Sequence, residues 1–472
     1  MVSLALPEEL LLEVLSYLAL APAYDDELEA RPLAQDHDAE ERLKLRTLLA
    51  VCLTCKRNYR VANPLLYRTI DFPFLGTSGI RPQALLETLL TNWHLRGLIR
   101  TLRLPRPACT CTGKPVRVCR LSISTLAEAS VYAAPIGSDL RQRLLRRYRS
   151  DNPITAQQLV LSLILVLCTN LRVLRIDYMS SAAIGGPISE VVDEAHLGKS
   201  ETDRHTRPLQ QLSHIIIGHS DPEHDGTSTS LVFWAGVLRL PNLQVLTAYR
   251  TTSYWDLEFW MRMQSLRSIT LFEADIDGEG LGNLLQTCPA LLQLCITLKS
   301  NERRHVDYSL LGQALRIYGT NLEVLRLYPD PSAPIRTKSL HRTSLMGLGE
   351  LHQLRSLSVG FEMLVPSEVH TKSDRHVGVL ANMLPVALKD LEIVGFPVDS
   401  DDGLEGYAMR AFDVDLVHLL ADESNHQLHS VVLHRSTAFT QTATLLKLGW
   451  QLTRTDDPDD VGSHRTFGLQ LP

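Results

Sequence analysis

The sequence predicts an α/β protein in which a helical N-terminal module precedes a stack of strand–helix units, the strands forming one parallel sheet and the helices lying outside it. Three observations predict this. The segment Leu6-Pro7-Glu8-Glu9-Leu10-Leu11-Leu12-Glu13-Val14-Leu15-Ser16-Tyr17-Leu18 repeats apolar residues at helical spacing. A short signature, a leucine-like residue followed by x-x-L-x-L, begins at Ile99, Leu171, Leu212, Leu243, Leu266, Leu291, Leu322, Leu354, Leu388 and Leu428. Apolar stretches of helical pattern follow the signatures, such as Gly280 to Thr287 with Leu281, Leu284 and Leu285, and Leu310 to Tyr318.

Composition narrows the function classes. The 472 residues, 44% hydrophobic and 21% charged, suffice for a large core and exceed one ordinary compact domain. A net charge of -6 argues against a general nucleic-acid binder. The first residues lack the basic start and small-residue cleavage site of a signal peptide. The most apolar run, Leu159 to Cys168, is about half of the roughly 20 residues that cross a bilayer. Eight cysteines in so long a chain are too sparse for a disulfide framework. The expectation is a soluble protein of the cytoplasm, the nucleus or both, with no membrane and no nucleic-acid partner.

In the opening helix Pro7 fits the first turn, where a missing N–H costs nothing, and Leu10, Leu11, Val14, Leu15 and Leu18 share a face. A face that apolar needs a cover. Asp25, Asp26, Glu27, Glu29, Asp36, Asp38, Glu40 and Glu41 then bracket Pro22 and Pro32, so residues 19–44 read as a solvated acidic insertion. Helical patterning resumes at Leu45, Leu48, Leu49 and Leu53 and runs into Thr54-Cys55-Lys56-Arg57-Asn58-Tyr59-Arg60-Val61-Ala62-Asn63-Pro64-Leu65-Leu66-Tyr67-Arg68.

Leu6-Pro7 with its leucine-rich helix, followed in order by Leu53-Thr54-Cys55-Lys56-Arg57, Tyr59-Arg60, Ala62 and Pro64-Leu65-Leu66-Tyr67, resembles an F-box of the fungal type over residues 6–72. The resemblance implies a three-helix module that packs on the Skp-type adaptor of an SCF ubiquitin ligase, which a cullin links to the ubiquitin-conjugating machinery. It also implies that the F-box chain does no chemistry itself. Matched residue by residue, it assigns the adaptor contact to Leu6, Pro7, Leu10, Leu11, Val14, Leu15 and Leu18, and then to Leu48, Leu49, Leu53 and Cys55, with Tyr59 where many members carry Trp. About 26 residues separate the two halves where the family has a short loop. The bland reading of the same residues is an amphipathic helical hairpin that caps a solenoid.

From Leu212 onward the signature starts lie 31, 23, 25, 31, 32, 34 and 40 residues apart, bracketing a repeat period of roughly 20 to 29 with insertions. Alternate residues of a strand share a side, so L-x-L sends two side chains into a core and its middle residue to the opposite face. Units stacked in this way coil right-handed and close with atypical repeats. The segments resemble leucine-rich repeats over about residues 95–440, and Cys288-Pro289-Ala290-Leu291 resembles the cysteine-containing subtype common in F-box proteins. The implied form is an irregular leucine-rich-repeat solenoid, a horseshoe with the parallel sheet on its concave side and helices outside. No asparagine ladder follows L-x-L: Tyr328-Pro329-Asp330 follows Leu327 and Val394-Gly395-Phe396 follows Ile393, so the turns must be held otherwise. The 72-residue gap between Ile99 and Leu171 exceeds one unit, and Val118 to Ile123 is a candidate for another repeat. The expected divisions are 1–72, 73–450 and 451–472. In the last, Asp456, Asp457, Asp459 and Asp460 surround Pro458 and read as a polar cap or frayed end.

Little in the chain points to catalysis. Cys109, Cys111 and Cys119 with one histidine would suit zinc, yet no histidine lies close downstream and the spacing fits no standard knuckle, so free thiols in a loop are expected. Cys52-x-x-Cys55 has redox spacing but no preceding strand, and both are expected as buried small hydrophobes. His219 and His224, among Asp221, Glu223 and Asp225, read as part of a solvated loop. No Gly-rich phosphate loop, nucleophile elbow or paired-carboxylate motif is present. Neither an enzyme nor a cofactor is expected.

Two regions are candidates for holding a partner. Between Arg96 and Arg149, 12 Lys or Arg stand against two acids, Glu128 and Asp139; this is a solvated helix face, especially from Arg141 to Arg149, or a basic patch for an acidic or phosphorylated peptide. The middle and following residues of L-x-L line the sheet's open face: Arg103, Arg175, Asp177, Thr247, Tyr249, Thr270, Phe272, Arg326, Tyr328, Ser358 and Glu392. Arginine and aromatic side chains dominate interface energetics, which makes Arg103, Arg175, Tyr249, Phe272, Arg326 and Tyr328 the candidate target-binding group. The leading expectation is therefore a substrate receptor that docks on the adaptor and holds an unidentified target protein for ubiquitin transfer. The alternative is a non-degradative interaction scaffold whose N-terminal helices cap the repeats. A third reading, a thiol or metal enzyme at Cys109 to Cys119, requires stoichiometric zinc or a depressed thiol pKa.

Overall fold

A computed structural model of the chain describes residues 7–18, 35–71, 82–104, 142, 153–176, 188, 190–191, 208–218, 235–251, 262–299, 306–329, 344–365, 379–395, 404–421, 427–435, 442–456 and 465–470. The chain is α/β. Its internal contacts divide it into two compact units, Met1–His219 with Gly236–Leu243, and Ser220–Ala235 with Gln244–Pro472.

The first unit begins with three helices, α1 (Glu8–Ser16), α2 (Gln35–Cys52) and α3 (Lys56–Arg68). Pro7 stands just before the first turn rather than inside it, and its carbonyl accepts the Leu11 N–H at 3.0 Å. Glu8 and Glu9 occupy the first turn, where the helix dipole favours negative charge. α2 departs from expectation, because helix starts at Gln35 and not at Leu45. Acid-rich sequence is as compatible with the first turns of a helix as with a solvated insertion. α3 opens at Cys55, whose sulfur accepts the Asn58 N–H at 3.4 Å. Leu15, Leu48, Cys52, Val61, Ala62 and Leu65 form a core of these helices, with Leu11, Leu18, Val51 and Leu66 packed against it.

α3 passes directly into β1 (Thr69–Asp71); α4 (Pro82–Thr91), β2 (Thr101–Leu104), α5 (Pro153–Leu167), β3 (Val173–Ile176) and β4 (His214–Ile217) follow. The four strands are parallel and neighbour one another in chain order. Ile70, Leu102, Leu174 and Ile215 stand side by side in that register, all buried. The apolar run Leu159 to Cys168 is the buried second half of α5 and the residue after it. Among the described residues, no helix is long and apolar enough to cross a membrane.

The second unit carries β5 (Val245–Tyr249), β6 (Ser268–Ala274), β7 (Gln293–Leu298), β8 (Val324–Tyr328), β9 (Ser356–Gly360), β10 (Asp390–Val394) and β11 (Ser430–Arg435), all parallel and in chain order. Two aliphatic rows cross this sheet. Leu246, Ile269, Leu294, Leu325, Leu357, Leu391 and Val431 form one; Ala248, Leu271, Ile296, Leu327, Val359, Ile393 and Leu433 form the other. Every member is buried. At roughly 1.5–3 kcal/mol per buried aliphatic side chain, these rows outweigh any surface ion pair, worth about 0–1 kcal/mol. The first residue of every signature, from Ile99 to Leu428, is buried as well.

Helices Gly278–Thr287 and Tyr308–Tyr318 (α6 and α7) contain the helical stretches read from sequence and pack on one another. Gly278 is required at that crossing: a Cβ there would lie 2.5 Å from Leu310 Cβ and 2.7 Å from its backbone carbon. The segment after Trp450 is ordered sheet where it is described. β12 (Gln451–Asp456) and β13 (Arg465–Gln470) form an antiparallel hairpin, and β13 pairs antiparallel with β11.

The turns into the strands are held by two devices. One carbonyl ahead of each strand accepts two successive N–H groups from the next unit: Leu292 O from Glu323 and Val324, then Glu323 O from Arg355 and Ser356, then Arg355 O from Lys389 and Asp390. An asparagine just before the signature also reaches back to an earlier turn. Asn170 donates to Gly97 O at 2.9 Å, Asn242 to Gln210 O at 2.8 Å and Asn321 to Pro289 O at 2.9 Å. Asparagine bracing thus exists, but ahead of L-x-L in the recurring Asn-Leu-x-Val-Leu. Replacing Asn321 by Ala leaves the Pro289 carbonyl without that donor and is expected to destabilise the chain by about 1 kcal/mol in equilibrium urea unfolding; an unchanged midpoint would show the brace to be incidental.

Candidate docking and target-binding surfaces

The residues assigned to an adaptor contact separate into two groups. Leu15 is 4% exposed and Leu48 is buried, and both belong to the three-helix core, with Leu11 and Leu18 half-buried against it. Leu10 (46%), Val14 (54%) and Leu53 (79%) are exposed, as are Pro7, Leu49, Cys55 and Tyr59. Leu6 lies outside the described residues. The sequence grouped Leu10 and Val14 with Leu15 because all fall on a wide helical stripe. The helix instead turns Leu11, Leu15 and Leu18 inward and leaves Leu10 and Val14 one turn apart on its outside. Leu12, Tyr17 and Leu43 add to the exposed apolar surface of the same three-helix segment. Glu8 ties α1 to α3 through Arg60 at 3.2 Å and Arg57 at 3.8 Å.

Cys52 and Cys55 were expected to be alike and are not. Cys52 is buried, which pushes its thiol pKa up. Cys55 is exposed at the start of α3, where the Asn58 N–H donates to its sulfur and lowers its pKa. The two lie on opposite sides of the α2–α3 turn, one at the end of α2 and one at the start of α3. Cys109, Cys111, Cys119, His219 and His224 lie outside the described residues. Among the described residues, no group of three or more His, Cys, Asp or Glu is placed to hold a metal ion.

Part of the basic stretch is committed to structure. Arg96 donates to the carbonyls of Leu89 at 2.6 Å and Leu90 at 3.1 Å, closing the end of α4. Arg103 pairs with Asp71 at 3.2 Å, directly across β1 and β2. Arg175 stands next to Arg103 in the same row and is half-buried. The remaining Lys and Arg from 106 to 149 lie outside the described residues.

In the second unit the open face of the sheet carries Thr270, Cys295, Arg326, Ser358 and Glu392 in one row, each in register with the next. Ser358 is buried despite its place on this face, because its hydroxyl donates to Glu392 Oε2 at 2.6 Å. Glu392 Oε1 is also 2.8 Å from His434 Nε2. The His434 hydrogen bond lowers the Glu392 pKa, and burial opposes it. Burial pushes the Tyr328 phenol up to about 12, while its hydrogen bond to Ser358 acts in the opposite sense. In this network the Ser358 hydroxyl donates to the carboxylate, and His434 faces the carboxylate instead of the serine.

Tyr249 and Phe272 stack on the same face, with ring centroids 4.6 Å apart and planes 23° from parallel. Behind them β6 bulges. Its register with β7 shifts between Leu271 and Ala274, and Glu273 takes a φ of 49°. Strict alternation would send Glu273 into the core; the extra residue keeps it out and restores burial at Ala274. Arg250, at a φ of 53°, meets Glu273 at 2.8 Å.

Of the target-binding candidates, Tyr249, Phe272, Arg326 and Tyr328 share one unit and one face, and Arg103 and Arg175 belong to the other unit. Sequence reasoning missed His434, although it is the residue that follows L-x-L in the last signature. It had no signal for the left-handed backbone of Arg250 and Glu273, the latter within the bulge. No protein-family model matches the chain, and no curated protein matches it significantly.

Two measurements follow from this chemistry. Among Cys52, Cys55, Cys168 and Cys288, maleimide should label Cys55 first and the 12-range thiols Cys168 and Cys288 only after unfolding, as read by peptide mass mapping. Equal labelling of all four in the folded chain contradicts this. The depressed Glu392 pKa gives stability that is present above the unfolded carboxylate value and lost as pH falls through the lower folded value. Thermal melts of wild type and Glu392→Gln should therefore differ at neutral pH and converge below the ordinary carboxylate range; a gap constant with pH would assign the effect to packing.

Proposed function

We propose that the chain is the substrate-recognition subunit of an SCF-type ubiquitin ligase, with residues 6–72 as an F-box on a Skp-type adaptor and the strand–helix units as leucine-rich repeats that hold a target protein. One observation carries the reading. The three helices keep a core of their own through Leu15, Leu48 and Leu65 and still leave Leu10, Val14, Leu49, Leu53 and Tyr59 exposed. A small helical module satisfied internally and apolar externally is a docking module. Ubiquitin transfer then depends on proximity, and the receptor supplies none of the bond chemistry.

A second reading is favoured by a different observation. α3 runs without a break into β1, and the Arg100 N–H donates to Arg68 O at 2.9 Å, so the helices are continuous with the first sheet as an end cap would be. In that case the chain is a non-degradative interaction scaffold. Coexpression with a Skp-type adaptor separates the two. The wild-type chain should co-purify with it, and Leu10→Asp combined with Leu53→Asp should abolish co-purification with little change in melting temperature, since both are surface positions. Leu15→Asp is unsuitable as a probe because it puts a charge in the core. A wild-type chain that brings down no adaptor removes the ligase reading.

A further inference from the structure

Two kinds of polar side chain share the described sheet face of the second unit: a hydrogen-bonded set and a guanidinium, Arg326, that meets a carboxylate only at longer range. Tyr328, Ser358, Glu392 and His434 satisfy one another through successive hydrogen bonds. Arg326 sits half-buried in the same row, between Cys295 and Ser358, and makes no hydrogen bond or ion pair among the described residues. Its charge is felt by Glu392, two strands away in the row, and by Tyr328, but neither is a contact partner, so its N–H groups remain able to take an anionic ligand.

The second feature is the Tyr249–Phe272 stack. It is backed by two residues in left-handed backbone, Arg250 and Glu273, locked by their ion pair. Strained backbone of this kind persists where surrounding structure over-determines it, and it concentrates at ligand clamps. Thr270 and Cys295 lead along one row to Arg326, and Thr297 stands beside Tyr328 in the next, all half-buried.

The spacing between the two features is fixed by the strand order. Tyr249 and Arg326 are three strands apart, β5 to β8, which at about 4.8 Å per strand is roughly 14 Å. An extended peptide at about 3.4 Å per residue covers that in about four residues. We propose that this face binds an extended acidic segment of the partner protein, a carboxylate seated on Arg326 and an apolar side chain about four residues away seated on the Tyr249–Phe272 pair. A carboxylate fits better than a phosphate. The row offers one guanidinium, already sharing its field with the Glu392 carboxylate two strands away, which repels a second negative charge. The inference rests on the target-binding half of the proposed function and does not involve the adaptor contact.

Random twelve-residue peptides displayed on phage and selected on the purified full chain test it. The wild type should enrich peptides with Asp or Glu about four positions from an aromatic or large aliphatic residue. Arg326→Glu should exchange that acid for Lys or Arg. For a selected peptide labelled with fluorescein, Arg326→Gln should weaken binding by about 10-fold or more, the range expected for a charge-assisted hydrogen bond. Changing the peptide's acid to its amide should cost as much in wild type and almost nothing further in Arg326→Gln. Failure to select any binder, or the same acidic motif selected by Arg326→Glu, overturns the proposal. Phosphoserine in place of the acid should bind no tighter, and a tenfold gain overturns the choice of carboxylate. Arg326→Glu should still co-purify with the adaptor, so failure of the ligase reading and failure of this one are read separately.

Discussion

In-register stacking of parallel strands is the constraint on which the second unit depends. Because Leu246 stands opposite Ile269, which stands opposite Leu294, and so on to Val431, each unit must present an aliphatic side chain at the same two strand positions. Slipping one strand by one residue would turn its whole aliphatic pair to the open face and draw Thr270, Arg326 or Glu392 into the core. The doubled N–H acceptance at Arg267, Leu292, Glu323, Arg355 and Lys389 holds that register at the entrance of each strand. Unit length is then free to vary, since the extra residues lie outside the strands.

The same constraint produces the open face. With the inward positions given to Leu, Ile and Val, the outward positions are free of packing duty and hold most of the unit's polar and aromatic variety. Ser358 and Glu392 satisfy each other there, His434 closes the set, and Arg326 stands outside it. The bulge at Phe272 and Glu273 shows how the fold treats a charge that falls on the wrong phase. Left-handed backbone at Glu273 costs on the order of 1–3 kcal/mol, less than burying an unpaired carboxylate. The register recovers at Ala274.

In the N-terminal helices a different balance applies. The three helices build a core among themselves, and Leu15, Leu48, Cys52, Val61, Ala62 and Leu65 are consumed by it. Only the apolar residues in excess of that need remain for a partner. This is why Leu11, Leu15, Leu18 and Leu48, four of the residues assigned by resemblance to a contact, turn inward, and why Leu10, Val14 and Leu53 carry the docking proposal.

The sequence by itself determined the α/β class, the position of every strand that a signature marks and the burial of each signature's first residue, because period-2 alternation and aliphatic content are local properties of the chain. It also located Tyr249, Phe272, Arg326 and Tyr328 on one face, since strand alternation alone assigns a side. Tertiary structure decided what depends on neighbours distant in sequence. It divided the leucines of α1 between core and surface, separated buried Cys52 from exposed Cys55, and moved the asparagine brace ahead of the strand. It closed the C-terminal segment as an antiparallel hairpin. Partners such as Asn321 and Pro289, Arg250 and Glu273, or Glu392 and His434 are 23 to 42 residues apart. No periodicity within one strand–helix repeat encodes its contacts with the next, and those contacts decide which side chains are paired.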